Sequence, residues 1–256
     1  MVGIFITARL GSKRLQRKHL IEIEGKTFIE WLILRYKVVF ETEIIEQKVK
    51  IVLTTSDKDE NNIFKEILEK HEVDVYFGED ANIPKRYCDC AKLNNLKHFI
   101  VVDGDDILCS PKGSYMLYQS IIENCNYDIY KAEGLPIGLN SNAYKLSYLE
   151  DSLNNYQNEN LEIGWSRIFI APDIKKIILG NYDIQGELRF TLDYEADAIF
   201  FKAIIGFLGI KTLNISDSEL IDLVIEQKFD SINGYLSKEY WENYNNSIKK
   251  QIENNG

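Results

Sequence analysis

The chain has 256 residues, 45% of them hydrophobic and 27% charged, a globular composition that excludes wholesale disorder. Its 30 Lys and Arg against 40 Asp and Glu leave a net charge of −10. No chain-wide basic footprint for nucleic acid exists, and any polyanion site has to be a local concentration of charge. The most apolar stretch, 198–210, is too short to span a bilayer and contains Lys202. The N-terminal MVGIFIT lacks the basic, apolar and small-residue regions of a signal peptide. Cys88, Cys90, Cys109 and Cys125, with three histidines, make neither a disulfide framework nor a zinc set. Idle thiols in a reducing cytosol are the expectation, with no nucleic-acid or membrane partner.

Taken in chain order, Val2–Thr7 reads as a buried strand followed by a polar, basic loop. Residues 27–40 have helical periodicity, 49–54 read as a second strand, and 57–70 as a helix with an acidic first turn. A third strand is expected at 73–77, a helix at 84–93, a fourth strand at His98–Asp103, and a helix at 112–124 opened by Pro111. Strands alternating with helices in this way predict βαβ units and an α/β fold with a doubly wound, mainly parallel sheet. Ligands of such sheets collect at the carboxyl ends of the strands. Residues 127–181 are less regular, with short strands expected at 128–132 and 163–171. They read as an insertion covering one end of the sheet. A strand at 188–192 and a helix at 194–207 follow. With no repeat and no Pro- or Gly-rich linker, one domain over 1–235 and a polar tail over 236–256 are expected.

Three segments carry chemistry. The first, ARLGSKRLQRKHL (8–20), holds Arg9, Lys13, Arg14, Arg17 and Lys18: five basic residues in ten, where 30 in 256 predicts about 1.2. Leu10, Gly11 and Ser12 let the backbone turn directly after a strand and expose amide donors. That combination suits a di- or triphosphate, although a merely solvated basic loop reads the same way. A Walker A loop fails because Leu20 stands where its first glycine belongs, and no Gly-x-Gly-x-x-Gly follows strand one. The second segment, FIVVDGDDI (99–107), runs an apolar strand into Asp103, Asp105 and Asp106, donors that suit a hard cation or a plain acidic turn. The third, LRFTLDYEAD (188–197), reads equally as a helix start with Asp193 as an ordinary N-cap.

Together these segments resemble the CTP-dependent sugar nucleotidyltransferases. The likeness is nearest to the spore-coat-polysaccharide SpsF-like proteins and the 3-deoxy-manno-octulosonate cytidylyltransferases. RLGSKRLQRK (9–18) matches their N-terminal signature, GEDANIPKRY (78–87) the stretch carrying a nucleotide-side arginine, VDGDD (102–106) the metal loop, and RFTLDYEAD (189–197) the late T-x-D-x-x-x-D segment. The resemblance implies a Rossmann-like nucleotidyltransferase fold with CTP over the basic loop. It also implies Arg9, Arg14 and Lys18 in the reaction, Leu10, Gly11, Ser12, Arg86 and Asp103 on the nucleotide, and Mg2+ on Asp105 and Asp193. Two departures stand out: Gln16 replaces the usual proline, and Asn140 and Asn142 stand where SpsF-like relatives tend to carry acids. Those two, with Trp165 and Arg167, are the candidate acceptor residues. Trp165 and Arg167 read equally as a strand aromatic and a surface arginine.

The expected activity is transfer of CMP from CTP to a small anionic acceptor, a sugar acid or sugar phosphate, in surface-polysaccharide biosynthesis. The partners are then CTP, the acceptor and, in a homodimer, a second copy. A GT-A-type glycosyltransferase using Asp103-Gly104-Asp105, or a non-catalytic nucleotide-binding module, are the alternatives. If the loop cations are free, Arg9→Ala and Lys18→Ala weaken nucleotide binding and leave stability unmoved.

Overall fold

The computed structural model describes residues 1–12, 14–156, 160–162 and 164–253. Lys13 of the basic loop and Ile163 lie outside them. In chain order the elements are β1 (Val2–Thr7), the short hairpin β2 (Glu22–Ile23) and β3 (Lys26–Thr27), α1 (Phe28–Val39), α2 (Glu41–Ile45), β4 (Val49–Ser56), α3 (Ile63–Glu69), β5 (Asp74–Gly78), α4 (Ile83–Leu93) and β6 (His98–Asp103). There follow α5 (Pro111–Glu123), β7 (Ile129–Glu133), β8 (Asn142–Lys145), α6 (Leu146–Asn154), β9 (Ile174–Ile178), α7 (Glu195–Leu208), α8 (Asp217–Glu226), α9 (Asp230–Asn233) and α10 (Leu236–Glu253).

The described strands form a seven-stranded sheet in the order β5-β4-β1-β6-β8-β7-β9, parallel except for β8. Being buried on both faces, β1 is continuously apolar. Ile4 and Ile6 pack with α1, α3 and α5 on one face, while Phe5 packs with Tyr87 and Cys90 of α4 and Leu149 of α6 on the other. A third cluster joins Phe28 and Trp31 of α1 to Phe200, Phe201 and Ile204 of α7 and Leu220 of α8. α1 starts where expected because Thr27 and Glu30 form a capping box. β1 lies between β4 and β6, so the chain leaves to opposite sides around the loop that follows it, the usual crevice of a doubly wound sheet. The four cysteines are free. Among the described residues no helix is long and apolar enough to cross a membrane.

The irregular middle departs from expectation. No strand occupies 163–171; a 3-10 turn, Trp165–Ile168, starts at Gly164 with φ 58°. It turns Trp165 and Phe169 onto Tyr144, at ring-centroid distances of 5.1 and 5.7 Å. Residues 188–192 also form no strand of the sheet. They run extended, tied by a single bridge from Arg189 to Ile137. At Gly138 (φ +87°) a Cβ would sit 2.1 Å from the Phe190 carbonyl oxygen, so glycine is what lets these two segments touch. β8 and β9 supply strands in their place. α10 lies against the cleft: the Tyr240 ring covers the Arg189 guanidinium at 4.4 Å.

Candidate active site

The basic loop crosses the carboxyl edge of the sheet and is pinned at its start. Asn61 accepts from the Leu10 N–H at 2.9 Å and donates to the Ser56 carbonyl and hydroxyl. Leu10 itself is buried, while Gly11 is exposed and Ser12 half-buried, its hydroxyl accepting from the Leu15 amide. At the end of β6 the chain passes close under β1. The Gly104 amide donates to the Thr7 carbonyl at 2.7 Å, and a Cβ there would lie 2.6 Å from that oxygen. Any larger residue would push the acidic loop away from the basic one.

Lys18 is the pivot. Its side chain is 7% exposed. The ammonium donates to Asp105 at 2.6 Å and to the Leu192 carbonyl at 2.7 Å, and stands 3.6 Å from Asp193. The Leu192 amide donates back to the Asp105 carbonyl at 2.8 Å, so two segments distant in sequence are sewn side by side. Arg14 reaches Asp193 at 2.6 Å and lies 5.1 Å from the Tyr194 ring centroid.

Asp193 is not the helix cap. Asp197 takes that work, accepting from the Asp193 and Tyr194 amides at 2.9 Å each. The Asp193 carboxylate is thereby freed to meet Arg14, Lys18 and, at 2.8 Å, the buried Arg189. Arg189 in turn donates to Asp197, which Asn233 also contacts at 2.8 Å.

Electrostatically the cleft holds crowded carboxylates. Desolvation deep among protein atoms, and then the Asp105 charge, push Asp103 up to about 6, although solvent reaches its side chain. Asp105 is raised by desolvation against the pull of Lys18. Asp106 is raised well above the usual range by desolvation and by both neighbours. His19 lies beside Lys18 with Nε2 3.2 Å from Asp105. Desolvation, then the ammonium, hold it down to about 3, so it is neutral at physiological pH.

Arg9 sits on the other flank, held by Asp80 at 3.7 Å and by Glu162. Arg86 is buried, and its guanidinium donates to the Glu79 and Asp80 carbonyls, bracing the turn that presents Asp80.

The structure thus brings together Arg14, Lys18, Asp105 and Asp193, with Asp103 and Arg9 nearby. The acceptor candidates fare differently. Asn140 spends its amide on its own loop, bonding Leu135 and Pro136. Trp165 packs edge-on against Tyr87 at 5.8 Å. Arg167 donates to the Tyr156 hydroxyl and the Asn160 carbonyl. Asn142 is half-buried in β8. The sequence reading missed Asn61, Asp80, Glu162, His19 and Tyr240, and had Asp197 only as the last residue of the late motif. Of these, Asp197 carried a usable signal, four residues after Asp193 on a helix start.

The family pattern of the cytidylyltransferases matches residues 3–177. A cytidylyltransferase from Leptospira borgpetersenii serovar Hardjo-bovis has a similar structure, with TM-score 0.76, 21% identity, and coverage of 91% of this chain and 96% of that one. A CMP:2-keto-3-deoxy-manno-octonic acid synthetase solved with CTP superposes at TM-score 0.59, 13% identical over 81% of this chain and 99% of its own. An uncharacterised protein of Methanocaldococcus jannaschii is 26% identical over 200 residues, 75% of this chain and 78% of that protein. With the family pattern running through β1, the basic loop and the acidic loop as far as β9, the chain belongs to the cytidylyltransferase family.

Proposed function

We propose that the protein transfers a cytidylyl group from CTP to a small anionic acceptor, a sugar acid or sugar phosphate used in surface-polysaccharide biosynthesis, with release of pyrophosphate. One observation carries this reading: the Lys18 ammonium lies between Asp105 and Asp193, with Arg14 beside it, at the crevice after β1. The synthetase with CTP, named for a sugar acid, supports the acceptor class.

In this reading the acceptor oxygen attacks the α-phosphorus in line. The new P–O bond forms as the α–β bridging P–O bond breaks, and its electron pair leaves with pyrophosphate. Arg9, Arg14 and Lys18 offset the charge gathering on the phosphates. His19 and Leu192 hold Asp105 and Lys18 in place, and Asp197 holds Asp193. An acceptor carboxylate or phosphate needs no general base.

The donor set fits Mg2+: the Asp105 and Asp193 carboxylates are hard oxygen donors that share the single Lys18 ammonium, which leaves a place for further positive charge. Among the described residues no three acidic, His or Cys side chains cage an ion by themselves. Asp105 and Asp193 would therefore hold it together with phosphate oxygens and water. When bound, the ion supplies Lewis-acid neutralisation of the phosphates.

Pyrophosphate release with each of the four nucleoside triphosphates across a panel of sugar acids and sugar phosphates tests the proposal. CTP alone should support turnover. Equal rates with ATP would sink the cytidylyl assignment.

A further inference from the structure

The half of the sheet beyond β6 carries a row of side chains that the motifs did not absorb. Val101 of β6 pairs with Asn142 of β8, Asn142 with Lys131 of β7, and Lys131 with Lys176 of β9. Residues paired across a sheet share a face. Here it is the face that carries Phe99, Tyr144 and Ile129 in the next row towards the amino ends of the parallel strands. Trp165 and Phe169 cover that aromatic row and stop there. Asn142 and Lys131 are half-buried and Lys176 is exposed, so the row after the covered one is open. Asp103 continues the same face of β6, two residues beyond Val101.

Two lysines directly opposed on neighbouring strands repel one another. Lys176 is relieved by Glu133 at 3.1 Å. Among the described residues Lys131 has no ion pair and no side-chain hydrogen bond, in contrast to Arg9, Arg14 and Lys18, which all carry carboxylates. A half-buried cation beside an amide and a second cation is a receptor for an anion. Strand spacing and rise put Lys131 about 12 Å from Asp103 between backbones, a span that a lysine stem and the body of a monosaccharide fill together. The lysine lies on the side of β6 away from the nucleotide loop.

We propose that Lys131, with Asn142 beside it and Lys176 behind, seats the anionic group of the acceptor, a carboxylate or a phosphate. This rests on the cytidylyltransfer reading and assigns its acceptor end. It also moves the recognition of the acceptor's charge from Arg167 and Asn140 to the open sheet face.

The test uses full-length Lys131→Met, Lys131→Arg and, from the opposite face of β9, Lys175→Met. With CTP and a 2-keto-3-deoxy sugar acid or a hexose 1-phosphate, Lys131→Met should raise the acceptor KM roughly 10–100-fold, the range for losing a charged hydrogen bond. The KM for CTP should stay within about twofold. Lys131→Arg should retain most acceptor affinity, and Lys175→Met all of it. Because a repulsion is relieved, the melting temperature of Lys131→Met should hold or rise, which a structural role would not allow. An unchanged acceptor KM in Lys131→Met overturns the seat. If the wild type releases no pyrophosphate with either acceptor, the cytidylyl reading fails on its own. The seat is then judged by calorimetric titration with pyruvate and with inorganic phosphate. Binding of either that Lys131→Met weakens at least tenfold upholds the seat and tells carboxylate from phosphate. Equal binding by both proteins, or none by the wild type, overturns it.

Discussion

Replacing Asp197 by alanine tests how the cleft is built. Asp197 is wholly buried and accepts five hydrogen bonds: two from Arg189 at 3.0 and 3.2 Å, one from each of the Asp193 and Tyr194 amides, and one from Asn233. Removing one partner of a buried ion pair costs about 3–5 kcal/mol, because the surviving charge stays desolvated. Arg189 keeps Asp193 at 2.8 Å and the Tyr240 ring at 4.4 Å, which pulls the figure towards the lower end. Two uncapped amides at the start of α7 add about 1 kcal/mol. The sum, about 4 kcal/mol, lowers the melting temperature by roughly 10 °C in a domain of this size. Combining Asp197→Leu with Arg189→Met removes both charges, so this double variant should lose less than the two single losses added together. Thermal melting of Asp197→Ala, the double variant and its two single variants measures all of this, with pyrophosphate release as a second readout. Losses that simply add, or an Asp197→Ala protein within about 1 kcal/mol of wild type, would refute the network.

Glu30 pairs with Lys70 and His71, and although desolvation opposes it, these contacts and Thr27 hold its carboxyl down to about 2 from 4.5. A depressed carboxyl stabilises the fold fully above its ordinary value and loses that contribution as pH falls from about 5 to 2. About 3 kcal/mol should drain in that window, and Glu30→Gln should flatten it in melts run at stepped pH. Asp193→Asn should cut turnover at least 100-fold. It should also lower the melting temperature by several degrees, since three cations surround the carboxylate. Unchanged activity would remove Asp193 from the site. Gly104→Ala drives a Cβ into the Thr7 carbonyl and should cost about 1–3 kcal/mol together with most activity. A fully active, equally stable variant would contradict that close approach.

The central strands were legible because parallel strands buried on both faces are written as unbroken apolar runs: β1, β4 and β6 fall within two residues of expectation. In the outer half β7 lies within one residue of its expected range, 128–132, but β8 and β9 were not expected. Their sequences, NAYK and IKKII, put polar and charged residues where an apolar run would mark a strand. The alternation at 188–192 was real but served a single bridge, held by a glycine contact that sequence does not announce. At the candidate site, charge density singled out Arg14 and Lys18, and the acidic ends of β6 and of 188–192 singled out the carboxylates that they contact. Sequence led us to expect free cations, so that Lys18→Ala would be neutral to stability. With Lys18 buried between two carboxylates, that expectation reverses. Asn140 misled because an amide that staples its own loop looks, in sequence, like one that faces a ligand.

The pairing of the basic loop changes what nucleotide entry means. Arg9 is held by Asp80 and Glu162, Arg14 by Asp193, and Lys18 by Asp105. A triphosphate meeting these groups does not fall into an empty positive well. On the proposed reading it would trade places with carboxylates, as on an ion-exchange resin, and the carboxylates it displaced would need a new counter-charge at the moment of their release. Cation and nucleotide would then each raise the affinity for the other by the same factor. Because Glu162 belongs to the segment whose Leu161 amide is clipped to Ala81, the same trade would release one contact that ties this segment to the basic loop.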